Sequence, residues 1–194
     1  MPPGRRKAFD EIEVLDLAMN LFWLRGYEAL GIAELVEGMG ISRQSLYDTF
    51  GSKRALFVRV LAHYRSTQLA AALALLERPG PPLENVRAVL RYFHELATDE
   101  RCRGCLVANA IVEVGPHDEE IAAFLGETLD LLQGALARSL AEARARGDLP
   151  PHKCPDRLAQ ALTNSIMGLV ITGKLRQRQM NVDEIHAGTL NMLD

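Results

Sequence analysis

The sequence predicts an all-α protein. Helix formers dominate its composition, with 30 Leu and 24 Ala against only 11 Val and 8 Ile, a balance that favours helices over strands. Apolar residues recur at helical spacing between breaks marked by Gly, Pro and capping Ser or Asp, and no strand–helix–strand unit is predicted. At 194 residues the chain is long enough for one domain or two small ones around a buried core.

The first helix is expected over residues 8–25, where Leu15, Ala18 and Phe22, with Val14 and Leu21 beside them, repeat at helical spacing until Gly26 stops the run. A short helix over 32–39 carries Leu35 and Val36 and ends at Gly40, whose tolerance of positive φ suits a sharp turn. Ser42 caps a second short helix reaching Phe50. Gly51 and Ser52 then break the chain, and a long helix over 53–77 runs to the loop Arg78-Pro79-Gly80-Pro81-Pro82. Further helices are expected over 83–98 and, after a charged stretch, over 105–114, closed by Gly115-Pro116. Asp118 caps a long amphipathic helix to Arg146, broken by Gly147 and Pro150-Pro151. Pro155 opens the next, to about Gln179, and Asn181 with Glu184 resembles a capping box for a last helix ending near Leu193. About nine helices result.

The formal charge of −3 excludes a polycation that coats nucleic acid or an anionic membrane, so any affinity for DNA must come from a local patch. Acidic residues between Asp10 and Glu13 stand where an export signal needs an apolar stretch. The longest uncharged run, over 158–173, is short for a membrane span and contains Gln160, Thr163, Asn164, Ser165 and Thr172. A soluble, cytoplasmic protein is expected. Three cysteines, Cys102, Cys105 and Cys154, are too few and too odd in number for a disulfide framework and are read as reduced thiols.

Residues 32–64 read as short helix, glycine turn, short helix, then a long helix, which is the layout of a helix-turn-helix. Between Met39 and Arg65 five bases, Arg43, Lys53, Arg54, Arg59 and Arg65, face the single acid Asp48. An acidic protein has therefore concentrated positive charge in this segment. The second short helix offers Ser42, Arg43, Gln44, Ser45, Tyr47 and Thr49 as polar groups, of which Arg43 and Gln44 suit paired bonds to base edges. Leu46 and Phe50, four apart, should point inward. Tyr47 and Lys53 suit phosphate, and Arg5, Arg6 and Lys7 are placed to reach an adjacent groove or backbone.

Phe22-Trp23-Leu24-Arg25-Gly26-Tyr27, the stretch from Ile32 to Leu35, the run from Gly40 to Lys53 (GISRQSLYDTFGSK) and Leu56-Phe57 closely resemble the DNA-binding domain of TetR-type transcriptional regulators. The resemblance covers roughly residues 8–64. It implies a homodimer that binds a double-stranded operator through residues 1–64, with residues 65–194 forming a helical effector-binding and dimerisation domain whose last two long helices make the dimer interface. One departure is Leu30-Gly31-Ile32, where members usually carry Ser or Thr to cap the first short helix and touch phosphate. Gly31 still serves as a cap, but it brings no hydroxyl to the phosphate contact that the resemblance implies.

The helix from Pro155 carries Leu158, Leu162, Ile166, Leu169 and Val170 as an apolar stripe, and Ala161, Ser165, Gly168 and Thr172 as a ridge of small residues. Such a ridge permits close helix approach, in a dimer seam or in an internal core. An effector pocket would draw on the middle helices, with Tyr92, Phe93, Leu96, Cys105, Leu106, Asn109, Phe124, Leu131, Met167 and Lys174 as candidates. Cys105, at a helix start beside Arg101 and Arg103, suits either a buried apolar role or a stabilised thiolate that senses an electrophile or oxidant, with Lys174 nearby across the bundle. Cys102, Cys105, His152 and Cys154 make a four-ligand metal set on paper, but the spacing is weak support and no metal or cofactor is assigned.

No phosphate-binding loop, HExxH, GxSxG or dinucleotide fingerprint occurs, so no enzyme is expected. Asp118, Glu119 and Glu120 are explained as negative charge at a helix start. Two functional readings follow: a repressor released by a small-molecule or reactive electrophile or oxidant effector, and a thiol-based redox or metal-binding helical protein whose basic patch is incidental.

Overall fold

A computed structural model describes residues 9–101, 103–175 and 182–194, and every regular element in them is helical. Helix α1 (Glu11–Arg25) starts where Asp10 Oδ1 accepts from the Ile12 amide at 2.7 Å and ends at Gly26, whose φ of +83° turns the chain. It is followed by α2 (Ile32–Met39), α3 (Arg43–Phe50) and α4 (Lys53–Tyr64). Gly40, at φ +65°, makes the α2–α3 turn. The small N-terminal bundle closes on aromatic residues: Phe57 of α4 meets Phe22 of α1 edge-on at 4.9 Å and Tyr27 at 4.8 Å, over buried Leu35, Leu46 and Leu56.

The single long helix expected from Lys53 is interrupted. After α4 the chain makes a π-helical turn over Arg65–Leu69 before resuming as α5 (Ala70–Leu76). Ser66 and Thr67 both donate to the His63 carbonyl, and Tyr92 Oη donates to the Gln68 carbonyl at 3.1 Å. Side-chain hydroxyls thus occupy backbone carbonyls around the widened turn.

The remainder is α6 (Pro82–Thr98), α7 (Leu106–Glu113), a 3₁₀ turn at Gly115–His117, α8 (Glu119–Ala145), α9 (Pro155–Thr172) and α10 (Val182–Leu190). Helix α9 packs against α8 and α6, and α10 against α6 and α9. The apolar stripe of α9 is consumed by this packing: Leu162, Ile166, Leu169 and Val170 are buried and Leu158 half-buried, whereas Gly168 on the small-residue ridge is exposed. α9 ends at Thr172, not near Gln179; Gly173, which follows it, abuts the carbonyl of Ala97, which a Cβ at this position would meet at 2.5 Å. Asn181, expected to cap the last helix, lies outside the described residues. Among the described residues no helix is long and apolar enough to cross a membrane.

Candidate nucleic-acid interface and internal cavity

The cap of α3 is built as its sequence requires: Ser42 Oγ accepts from the Ser45 amide at 3.0 Å. Leu46 and Phe50 are buried against the rest of the small bundle, which turns Ser42, Arg43, Gln44 and Tyr47 to solvent and leaves Ser45 and Thr49 half-buried. Gln44 Nε2 donates to Asp48 Oδ1 at 2.8 Å, so its amide must exchange that partner to meet a base edge. The Arg43 guanidinium lies 5.8 Å from the centre of the Tyr47 ring. Lys53 opens α4 behind the Ser52 cap, with its ammonium 4.4 Å from the centre of the Tyr27 ring. At Gly31 the missing side-chain cap is partly replaced by Glu34, whose Oε2 accepts from the Gly31 amide at 3.0 Å. That bond, with Arg25 beside it, holds the Glu34 carboxyl below its usual range. Arg5, Arg6 and Lys7 lie outside the described residues.

The positive patch is thinner than the residue count implies, because carboxylates distant in sequence fold onto it. Arg54 forms a bidentate pair with Asp118, at 2.6 and 2.9 Å, and a further bond to Glu120 at 2.6 Å. Arg59 pairs with Glu11, and Arg65 stacks on Phe124 at 4.1 Å near Glu127. Among the described residues, Arg43 and Lys53 make no ion pair. The acids at the start of α8 are therefore more than a favourable charge at a helix end: Asp118 both caps α8, accepting from Ile121 N, and chelates Arg54. The Arg54 bonds first, and the Ile121 amide second, pull the Asp118 carboxyl down to about 2.

The residues expected to form one effector site do not converge on one place. Tyr92, Phe93, Cys105 and Met167 line an internal cavity of about 20 Å³ with Tyr64 and Leu69, room for a water-sized molecule. Asn109 and Lys174 line a separate cleft of about 350 Å³ with Leu24, Val112 and Ile171. Phe124 lies under Arg65 beside a third hollow, and Leu131 is exposed. Tyr64, at the end of α4, and Gln68, in the π turn, also line the cavity, and no local pattern in the sequence marks them.

Of the two roles open to Cys105, its surroundings favour the buried apolar one over a stabilised thiolate. Cys105 does precede α7, but it is buried, and burial pushes its thiol pKa up against the smaller opposing effects of a bond from Tyr64 Oη at 3.4 Å and nearby backbone amides. Arg103 turns away: its guanidinium stacks 4.2 Å over Trp23 and bonds Asp99 and Asn20. Lys174 does come close, packing along Gly104, but its ammonium donates to Asn109 Oδ1 at 3.0 Å. The residues of the four-ligand set, to which no metal is assigned, do not gather among the described residues. Gly104, next to Cys105, packs on the Val170 carbonyl near the end of α9, whereas Cys154 caps the start of that helix, about 24 Å away at 1.5 Å per residue. Cys102 lies outside the described residues.

Residues 14–60 match the family model described as bacterial regulatory proteins of the tetR family, and residues 82–188 match the tetracyclin repressor-like C-terminal domain. The chain is 32% identical over 193 residues to the uncharacterized HTH-type transcriptional regulator YezE of Bacillus subtilis, covering 98% of this chain and 100% of that protein. It is 34% identical over 175 residues to the HTH-type transcriptional repressor ComR of Escherichia coli, covering 88% and 82%. Among solved structures it resembles the TetR family regulator CifR, captured as a cysteine mutant with 26-bp double-strand operator DNA, with TM-score 0.84, 31% identity and coverage of 96% of this chain and 98% of that one. The capped α3 on its buried Leu46 and Phe50, the uncommitted Arg43 and Lys53, and full-length agreement in sequence and fold have one explanation: the chain belongs to the TetR family of transcriptional regulators.

Proposed function

We propose that the protein is a cytoplasmic homodimeric repressor, acting by binding alone, in which residues 1–64 read a palindromic operator and residues 65–194 dimerise and receive an effector. The observation that carries this is the outer face of α3, where Arg43, Gln44 and Tyr47 are exposed while Leu46 and Phe50 fix the helix from behind. Arg43 and Gln44 meet base edges; Ser42, Ser45, Tyr47, Thr49 and Lys53 hold phosphates. Two such helices related by a two-fold axis read half-sites roughly 34 to 36 Å apart. The small-residue ridge of α9, exposed at Gly168 and half-buried at Ala161, Ser165 and Thr172, together with α10, supports the dimer seam. The π turn at Arg65–Leu69 supports a division of labour at that point in the chain.

The effector acts at the cavity bounded by Tyr64, Tyr92, Cys105 and Met167. The hydroxyls in its wall already have partners, since Tyr64 donates to Cys105, Tyr92 to Gln68 and Thr128 to Phe124, which favours a small, neutral, mainly apolar molecule. At about 20 Å³ the cavity admits little without displacing its walls, so entry of a larger molecule moves α6, α7 or the π turn. Inverting operator occupancy from 99:1 to 1:99 requires about 10⁴-fold preference for the released state. A second reading, covalent sensing, rests on the Cys105 sulfur lying in the cavity wall.

The test is selection of duplexes from a random pool by the purified protein, followed by Arg43→Ala and Gln44→Ala. A palindromic consensus whose base preferences relax at defined positions in these variants supports operator reading. No enrichment over competitor refutes it. Unchanged affinity after treatment with peroxide, hypochlorite and a quinone removes the covalent reading while leaving the repressor intact.

A further inference from the structure

We propose that Glu113 is a positioning residue that locks the DNA-reading bundle onto the core and fixes the separation of the two recognition helices. Glu113 is the last residue of α7. A carboxylate is disfavoured at a helix C-terminus, so its place there calls for a compensating contact. That contact is across the junction: Oε2 accepts from the Tyr27 amide at 2.9 Å and Oε1 from the Glu28 amide at 2.8 Å. The two consecutive N–H groups follow Gly26, at φ +83°, and present the kind of backbone concavity that binds anions. Glu113 fills it from another element.

The fit leaves no slack. A Cβ on Gly26 would lie 2.8 and 2.9 Å from the two carboxylate oxygens. The cations lining the neighbouring cleft do not compete for the carboxylate, because Arg25 pairs with Glu34 at 2.6 Å and Lys174 bonds Asn109. Other contacts flank this one on two sides: on one, Trp23 Nε1 donates to the Gly104 carbonyl at 2.8 Å and Arg103 bonds Asn20; on the other, Arg54 grips Asp118 and Glu120. Two points define an axis about which the bundle can rock, and a third removes that rotation. Glu113 lies between the other two in sequence and supplies the third.

The same helix faces the cavity at its other end. Cys105, preceding α7, and Val107 in its first turn line the cavity, and α7 spans only about 12 Å over its eight residues. Displacement of the cavity wall therefore moves the Glu113 clamp. This part rests on the reading of the protein as an operator-binding dimer.

The experiment uses the full-length protein and the operator that the wild type selects from a random pool. Binding is measured on that operator, on versions with one base pair inserted or deleted between half-sites, and on unrelated duplex. The wild type should prefer its own spacing by at least about tenfold, the factor that ~1.4 kcal/mol represents. In Glu113→Ala the preference should fall to within about threefold, ~0.65 kcal/mol, with affinity for unrelated duplex unchanged. Glu113→Gln keeps one acceptor oxygen and should lie between; it carries the measurement alone if the alanine variant fails to fold. A folded dimeric variant that keeps the wild-type spacing preference overturns the inference. Failure of the wild type to select any duplex overturns operator reading instead.

Discussion

Replacing Lys53 by alanine separates the cations that face DNA from those committed inside the protein. Each phosphate contact contributes about 0.9 to the slope of log affinity against log salt, so loss of one contact per subunit flattens the slope of a dimer by about 1.8. Across the fourfold range from about 50 to 200 mM salt, this means the wild type loses about 12-fold more affinity than Lys53→Ala does. Arg54 carries the same charge one residue later, yet it is held by Asp118 and Glu120. Arg54→Ala should therefore weaken operator binding by a similar factor at every salt concentration, through loss of the junction contact, and leave the slope nearly unchanged. Fluorescence anisotropy with a labelled operator measures both. Equal flattening by the two variants, or parallel lines for Lys53→Ala and wild type, refutes the assignment of uncommitted charge to Lys53.

In a protein lacking Cys102, exposed Cys154 should react promptly with Ellman's reagent at pH 8 while buried Cys105 reacts only upon unfolding, since burial raises its thiol pKa; prompt reaction of both would contradict this. Asp118 is held at about 2 against an ordinary 3.8, so its stabilising contribution is complete above about pH 4 and is lost as pH falls towards 2. Arg54→Met should accordingly move the acid-unfolding midpoint, followed by circular dichroism, to higher pH. Phe57→Ala removes a ring that is 1% exposed between Phe22 and Tyr27, and should cost about 3–5 kcal/mol in urea unfolding.

Most of α3 was legible in the sequence because its determinants are local. Ser42 caps it, Leu46 and Phe50 are one turn apart, and Gly40 supplies the positive φ of the preceding turn. The cavity was legible only in part. Tyr92, Phe93, Cys105 and Met167 do converge, but Asn109, Lys174 and Phe124 look equally suitable in sequence and lie elsewhere. Glu113 carried a faint signal, an acid at the wrong end of a short helix, which gains its meaning from the amides of Tyr27 and Glu28.

Local spacing, capping and turn chemistry by themselves determined the all-helical class, the order of the helices and the capped α3, since each depends on residues within a few positions of one another. The tertiary structure alone decided which charges remain available, how the Cys105 thiol behaves and where the bundle is clamped. Arg54 loses its availability to carboxylates more than sixty residues away, and the surroundings that enclose Cys105 push its thiol pKa up. Coulombic pairing and desolvation depend on distance and burial in space, which sequence separation does not encode.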